Sequence, residues 1–339
     1  MTTPVPNPFP FTCLDQPGLR WTVGESTFDV LPENGARLMR WRHAGRDIIH
    51  WPETLPTGLP IDAPASAADI PGAYGGNPIL FPFAARCFDD GEPLYWRTPG
   101  GERRPMPMHG IARQGRFAVS IDNAGDNGFT ATFLPDAAAR EAYPYDYTFT
   151  VRYRFLPLGI TCEFILRNHE SHRPIPWSAG HHFYFALPLS TGPSPALRRT
   201  GFRIQIPATR ACVVSMHTQG KLLPHPLFPE DNSLASPQLA DAIIHHGLRS
   251  NEARLYPISG DSNAPLPPLP SITLTHGVAP VPPPEFAFVT WSPSPEAPFY
   301  CVEPWMGPSN APGHGTGLHW VPPGEQRSWT VGLQLTHPA

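Results

Sequence analysis

From Tyr147 to Phe155 the chain alternates without a miss. Tyr147, Phe149, Val151, Tyr153 and Phe155 fall on one side; Thr148, Thr150, Arg152 and Arg154 fall on the other. Only an extended chain gathers every second residue onto one face, so the segment predicts a half-buried antiparallel strand. Ile160 to Leu166 follows Pro157 and Gly159 and reads as its hairpin partner. Trp329, Val331, Leu333 and Leu335 alternate in the same way, and Phe129 to Phe133 and Phe286 to Trp291 also read as strands. Helical signal is weak: Asp136 to Ala142 predicts a turn or two, and Leu239 to His246 another. Proline explains the scarcity. There are 48 among 339 residues, against a usual frequency of about 5%. They break helices, stay out of central strands, and are spread along the whole chain rather than gathered in a disordered tail. Ala264 to Pro284 carries eight of them and reads as a surface connection. The expectation is one all-β domain over residues 1–339, a large antiparallel β-sandwich or a barrel.

The net charge of −4 gives no basic face for nucleic acid or an anionic membrane. Lys221 is the single lysine among 24 basic residues. The five cysteines, Cys13, Cys87, Cys162, Cys212 and Cys301, are odd in number and include no CxxC pair, which speaks against a disulfide framework or zinc ribbon. The first residues lack a basic then apolar leader pattern, and no run of about 18 apolar residues exists. A cytoplasmic, non-membrane protein is expected; its oligomeric state is left open.

Three segments place polar groups inside apolar, strand-like surroundings, where charge is rare unless paired or functional. The first is Gly75 to Arg86, followed by His109 to Arg113; the second is Gly180 to Phe185; the third is Cys301 to Gly307. In an extended stretch Cys301, Glu303 and Trp305 share one face, and Pro304 puts Glu303 at a strand end or edge. Glu303 reads equally as a buried carboxylate paired with an arginine. His182 shares a face with Tyr184, while His181 points the other way with Phe183 and Phe185, so the two histidines do not serve one ligand. His245, His246, His169 and His172 have no zinc-like spacing to a Cys or Asp and are read as surface or loop residues.

Together these segments resemble the aldose 1-epimerase family. The family's Pro-(Leu/Phe)-x-Phe-Pro stretch with an arginine is matched by Pro78 to Arg86, and its His-Gly-Phe-Ala-Arg element by His109 to Arg113. Its Gly-x-His-Pro-Tyr-Phe and Ile-Glu-Pro-Trp elements are matched by Gly180 to Phe185 and Cys301 to Trp305. Tyr143 to Tyr145 and Pro323 to Glu325 add smaller echoes, so the likeness spans roughly residues 20 to 335. Two positions depart: Ala85 stands where the family usually has asparagine, and Phe183 where it has proline. A substrate-binding aspartate of the galactose-type members has two candidates here, Asp231 and Asp241.

The resemblance implies a large β-sandwich with an open concave face and a sugar substrate. It gives His182 as general acid and Glu303 as general base on opposite sides of the sugar ring, with Arg86 and His109 holding hydroxyls. Opening a hemiacetal needs a base at the C1 hydroxyl and an acid at the ring oxygen, and one imidazole with one carboxylate suits that exchange. Trp305 or Tyr184 offers an apolar face, Arg113 is read as a structural ion-pair partner, and no metal or cofactor is required. Three alternatives stand beside this. One is a hexose-6-phosphate mutarotase using Arg198, Arg199 or Arg203. Another is a glycoside hydrolase or polysaccharide lyase; a hydrolase usually needs two carboxylates, and the motifs supply only Glu303. The last is a non-catalytic sugar-binding protein on the same fold.

Overall fold

The computed structural model describes residues 8–13, 16–52, 74–121, 127–187, 199–239, 241–258 and 269–337. The alternating segment forms strand Tyr147–Leu156, paired antiparallel with Gly159–Asn168 along its whole length. This hairpin lies inside a nine-stranded sheet. On one side lie Gly128–Leu134 and Arg116–Ile121; on the other lie Gln326–Thr336, Ser271–His276, Glu252–Pro257, Phe202–Gln205 and Asp231–Ser233. A second, thirteen-stranded sheet runs from Phe9–Cys13 through Gln16–Val23, Ser26–Leu31, Arg37–His43 and Arg46–Ile49 to Tyr184–Ala186. It continues through Phe299–Trp305, Ala287–Trp291, Ile243–Leu248 and Ala208–Val213 to Leu223–His225. Two short strands, Gly180–His181 and Ile79–Leu80, join its centre.

The sheets bury their facing sides against one another, as a sandwich must. Phe28 stacks on Phe155 at 4.5 Å between centroids, Trp21 on Phe129 at 5.5 Å, and Phe164 on His181 at 4.3 Å. One apolar cluster joins these contacts from end to end. Strand Phe299–Trp305 is buried at all seven positions, so both of its faces are covered. Tyr300 and Val302 enter the core between the sheets. Cys301 and Trp305 belong instead to two small clusters on the outer face of the larger sheet, one on each side of Glu303. That outer face carries the candidate site.

The short helix expected over Asp136 to Ala142 forms as Ala137–Ala142, and Asp136 caps it, its Oδ1 accepting from the Ala139 N–H at 2.8 Å. Three other expectations fail. Leu239 to His246 is not helical: Pro237–Leu239 is a single 3₁₀ turn and Ile243–Leu248 is an inner strand. Buried on both faces, that strand shows no alternation to read. His245 and His246 are accordingly buried rather than surface residues, and His245 Nε2 lies 3.1 Å from Thr290 Oγ1. His169 and His172 are exposed as expected. Ala264 to Pro284 is more than a connection. Residues 264–268 lie outside the described residues, but Ser271–His276 is a strand between Glu252–Pro257 and Gln326–Thr336.

Candidate active site

Register builds the centre of the site. Tyr184 pairs with Cys301 and Gly180 with Trp305, which puts His182 directly across from Glu303. Facing side chains on neighbouring strands meet, and His182 Nδ1 stands 3.5 Å from Glu303 Oε2. Both atoms are buried and neither has a hydrogen-bond partner. The expectation that the pair sits on opposite sides of a sugar ring is therefore replaced by direct adjacency. Chemistry accommodates this, because the ring oxygen and the C1 hydroxyl are bonded to the same carbon. Burial holds the Glu303 carboxyl well above its ordinary range, with the Trp305 N–H pulling the other way. Burial likewise holds His182 well below the usual imidazole value, helped by Arg113 and Arg37. Desolvation thus works against a charged imidazolium–carboxylate pair in the free site.

His181 is turned away, as its neighbour's role requires. It is fully buried, stacked on Phe164 and on Phe183. What separates the two histidines is Asn77, also fully buried. Its amide nitrogen donates to Tyr153 Oη at 2.8 Å and lies 2.9 Å from His181 Nδ1, while its Oδ1 accepts from the His182 N–H at 3.0 Å. The chain between Gly180–His181 and Tyr184–Ala186 leaves the ladder at residues 182 and 183, and Asn77 supplies the acceptor the backbone lost there.

His109 lies beside His182, ring centroids 5.2 Å apart. Its backbone and that of Ala85 are locked together: the His109 N–H donates to Ala85 O, and the Ala85 N–H donates to His109 Nδ1 at 3.2 Å. With Nδ1 accepting, the neutral ring carries its proton on Nε2. Burial, then His182, Arg113 and Arg86, keep it neutral by holding its pKa well below the usual value. Both residues have positive φ, 58° at Ala85 and 68° at His109. That conformation costs L-residues roughly 1–2 kcal/mol each and concentrates at functional sites. Arg86 is half-buried at the same corner.

Arg113 departs from its expected structural role. It forms no ion pair with a described residue, and its charge bears on His109, His182 and Tyr184 alike. Arg37, which sequence reading passed over, donates to Gly75 O and acts on His182 and Tyr184 from the same side. Aromatic walls complete the site. Tyr184 stacks on His182 at 4.6 Å and 7°, and half-buried Trp291 meets His182 edge-on at 5.9 Å, with Tyr74 beside it. Trp305 is only 4% exposed and its indole N–H is turned inward, donating to His181 O at 3.2 Å and acting on Glu303 as well, so it packs behind His109 rather than offering an open face. Trp291 was read only as the end of a strand; nothing in its spacing singles it out.

The remaining sequence candidates divide cleanly. Asp231 is committed to Arg203 and Tyr256 on the edge of the nine-stranded sheet. Asp241 is exposed, two residues before Ile243, which pairs with Thr290 next to Trp291. Arg199 is buried against Tyr300 and donates to Ser294 O, Arg203 is tied to Asp231, and Arg198 lies outside the described residues. The fold also gathers a set that linear spacing could not reveal. Donor atoms of His182, Cys301 and Glu303 all lie within 4.8 Å of one another.

Comparison with known proteins bears on the family and the fold. A family model described as aldose 1-epimerase matches residues 30–215. A Salmonella typhimurium protein, provisionally named a glucose-6-phosphate 1-epimerase, is 28% identical over 153 residues, 44% of this chain. The LacX protein of Lactococcus lactis is 28% identical over 123 residues, 35% of this chain. The matches span only 42% and 39% of those two relatives. Among solved structures, a galactose mutarotase-like protein from Lactobacillus casei superposes with a TM-score of 0.70 at 19% identity, covering 94% of this chain and all of its own. The Slr1438 protein of Synechocystis gives 0.70 at 18% identity, covering 100% and 99%. At such identities the superpositions establish the fold. No helix of the described residues is long and apolar enough to cross a membrane.

Proposed function

The chain belongs to the aldose 1-epimerase family, and from that membership we propose that it interconverts the α- and β-anomers of an aldose at the His182–Glu303 pair. The observation that carries the reading is the buried, unpartnered contact between the two side chains. One proton shared by the pair is enough. Ring opening moves the O1 proton onto one group while the other gives its proton to the ring oxygen, and the C1–O5 bond breaks as the C1 carbonyl forms. Rotation about C1–C2 presents the other carbonyl face, and the same steps run backwards. The pair ends as it began, holding one proton. Arg86 and the Nε2–H of His109 hold sugar hydroxyls, which raises the fraction of bound sugar in reacting geometry. Five unpaired cysteines suit a reducing compartment, so we place the reaction in the cytoplasm.

Polarimetry of α-glucose and α-galactose tests this. Glu303→Gln keeps the shape and removes the proton carrier, so kcat should fall by about 10²–10⁴-fold with the circular dichroism unchanged. His182→Asn should do the same. A Glu303→Gln protein that retains wild-type mutarotation would falsify the assignment.

A second reading rests on the arginines. Arg37, Arg86 and Arg113 bear on the site's histidines, and Glu303 is held toward its neutral form. A phosphorylated or otherwise anionic sugar would bring negative charge to meet Arg86 and Arg113, and the Salmonella relative carries a sugar phosphate in its name. The comparison is kcat/KM for glucose against glucose 6-phosphate. If the anionic reading holds, Arg113→Ala should cost the phosphate substrate at least about tenfold more than the free sugar. Equal losses would return the enzyme to free aldoses.

A further inference from the structure

We propose that the centre of the site, where His182 meets Glu303, is also a binding site for a thiophilic divalent cation, Zn²⁺ or Cd²⁺, held by His182 Nδ1, Cys301 Sγ and Glu303 Oε2. The three donors come from two strands. Cys301 and Glu303 alternate onto one face of Phe299–Trp305, and His182 stands across from Glu303. In a tetrahedral zinc site, bonds of about 2.0–2.3 Å put neighbouring donors roughly 3.3–3.8 Å apart. His182 Nδ1 and Glu303 Oε2 already meet that spacing at 3.5 Å, and Cys301 Sγ lies within 4.8 Å of both, so a small side-chain rotation closes the set. The nitrogen and the carboxylate oxygen are buried without any hydrogen-bond partner, which leaves both free to ligate.

The donor chemistry selects the ion. A thiolate with an imidazole favours Zn²⁺ and Cd²⁺ over Mg²⁺ or Ca²⁺. Binding releases two protons to solvent, the Cys301 thiol proton and the one that His182 and Glu303 share. The +2 charge then meets one thiolate and one carboxylate, so the buried site is neutral overall and escapes the cost of an isolated charge. Three protein donors leave a fourth position for water or a sugar oxygen. Because the cation ties up both proposed proton carriers, it acts as a reversible inhibitor that competes with sugar, not as a cofactor.

The test uses the full chain titrated with CdCl₂, reading thiolate-to-metal charge-transfer absorption. One saturable equivalent is expected in the wild type, abolished in Cys301→Val and kept in Cys13→Ser, which removes the half-exposed thiol. Should Cys301→Val fail to fold, Glu303→Gln serves instead: it should keep the band but weaken binding at least about tenfold. In polarimetry, ZnCl₂ should inhibit competitively with sugar and EDTA should reverse it. Absence of the band, its survival in Cys301→Val, or undiminished affinity in Glu303→Gln overturns the site. The absorbance does not depend on turnover. A protein that binds Cd²⁺ but fails to mutarotate sinks the proposed reaction and leaves the cation site standing, and the reverse outcome sinks only the cation site.

Discussion

Asn77 is the residue on which the separation of the two histidines turns. Its amide serves Tyr153, His181 and the His182 backbone at once. Asn77→Ala would strand two buried polar groups, His181 Nδ1 and the His182 N–H, each costing about 1–3 kcal/mol when unpaired, while Tyr153 keeps Leu38 and Cys162 as partners. We expect a loss of roughly 3 kcal/mol or more in urea unfolding, and a fall in kcat exceeding any rise in KM, because His182 loses its anchor while the hydroxyl-binding groups stay. A variant of wild-type stability would show that water replaces the amide. The sequence pointed at this region, since Gly75 to Arg86 stands out as polar within an apolar run. It could not assign Asn77 a task, because the partners lie about a hundred positions away in the chain. Arg113 and Arg37 were illegible for the same reason: whether a guanidinium meets a carboxylate or a cleft depends on neighbours that only folding supplies.

At the scale of the strand, the site depends on how closely two backbones approach. A methyl group at Gly180 would sit 2.5 Å from Trp305 Cδ1, so the indole occupies the space a side chain would need. Trp305 is pinned further by His276, whose Nε2 lies 2.8 Å from Trp305 O. Gly180→Ala should therefore push the strand containing Glu303 away from His182. The expected cost is about 1–3 kcal/mol, typical of overpacking, together with a larger loss of mutarotation than stability alone explains. Full activity in a folded Gly180→Ala protein would mean the indole swings aside freely. The strands themselves were legible where one face meets the core and the other meets water, as in Tyr147–Leu156. Ile243–Leu248 was missed because both faces are buried. Ser271–His276 does alternate, with Ile272, Leu274 and His276 buried, but the prolines on either side masked it.

The molecule as a whole is built around neutral histidines. Eight of them, His43, His109, His181, His182, His245, His246, His276 and His314, are held below the usual imidazole value, burial being the largest cause each time. His276 gives the clearest reason. Its Nδ1 accepts from the Trp329 N–H at 3.3 Å and its Nε2 faces Trp305 O, so a second ring proton would confront a donor. In the unfolded chain these rings protonate near 6.5; in the fold they do so lower, at about 4 for His276 and about 3 for His245. Between those values the unfolded chain binds more protons, so the stability they provide is present above about pH 6.5 and drains away as pH falls. Glu303 acts in the opposite sense, losing stability as pH rises through its elevated value, but it is one group against eight. For His276 alone the shift corresponds to on the order of 3 kcal/mol by pH 4. The urea midpoint should therefore drop steeply between pH 7 and pH 4, and a flat profile would contradict the neutral-histidine core.

The register that sets His182 against Glu303 also governs when the site can exist during folding. More than a hundred residues separate the two in the chain, and a slip of one position in the strand that carries Glu303 would turn that side chain to the wrong face. A half-assembled version has no meaning: either the ladder closes in its single correct alignment or the proton carriers never meet. Turnover then becomes a reporter of a long-range pairing. Refolding followed by circular dichroism would record sheets growing from local hairpins, while recovery of catalysis would record the moment the ends of a long loop find each other.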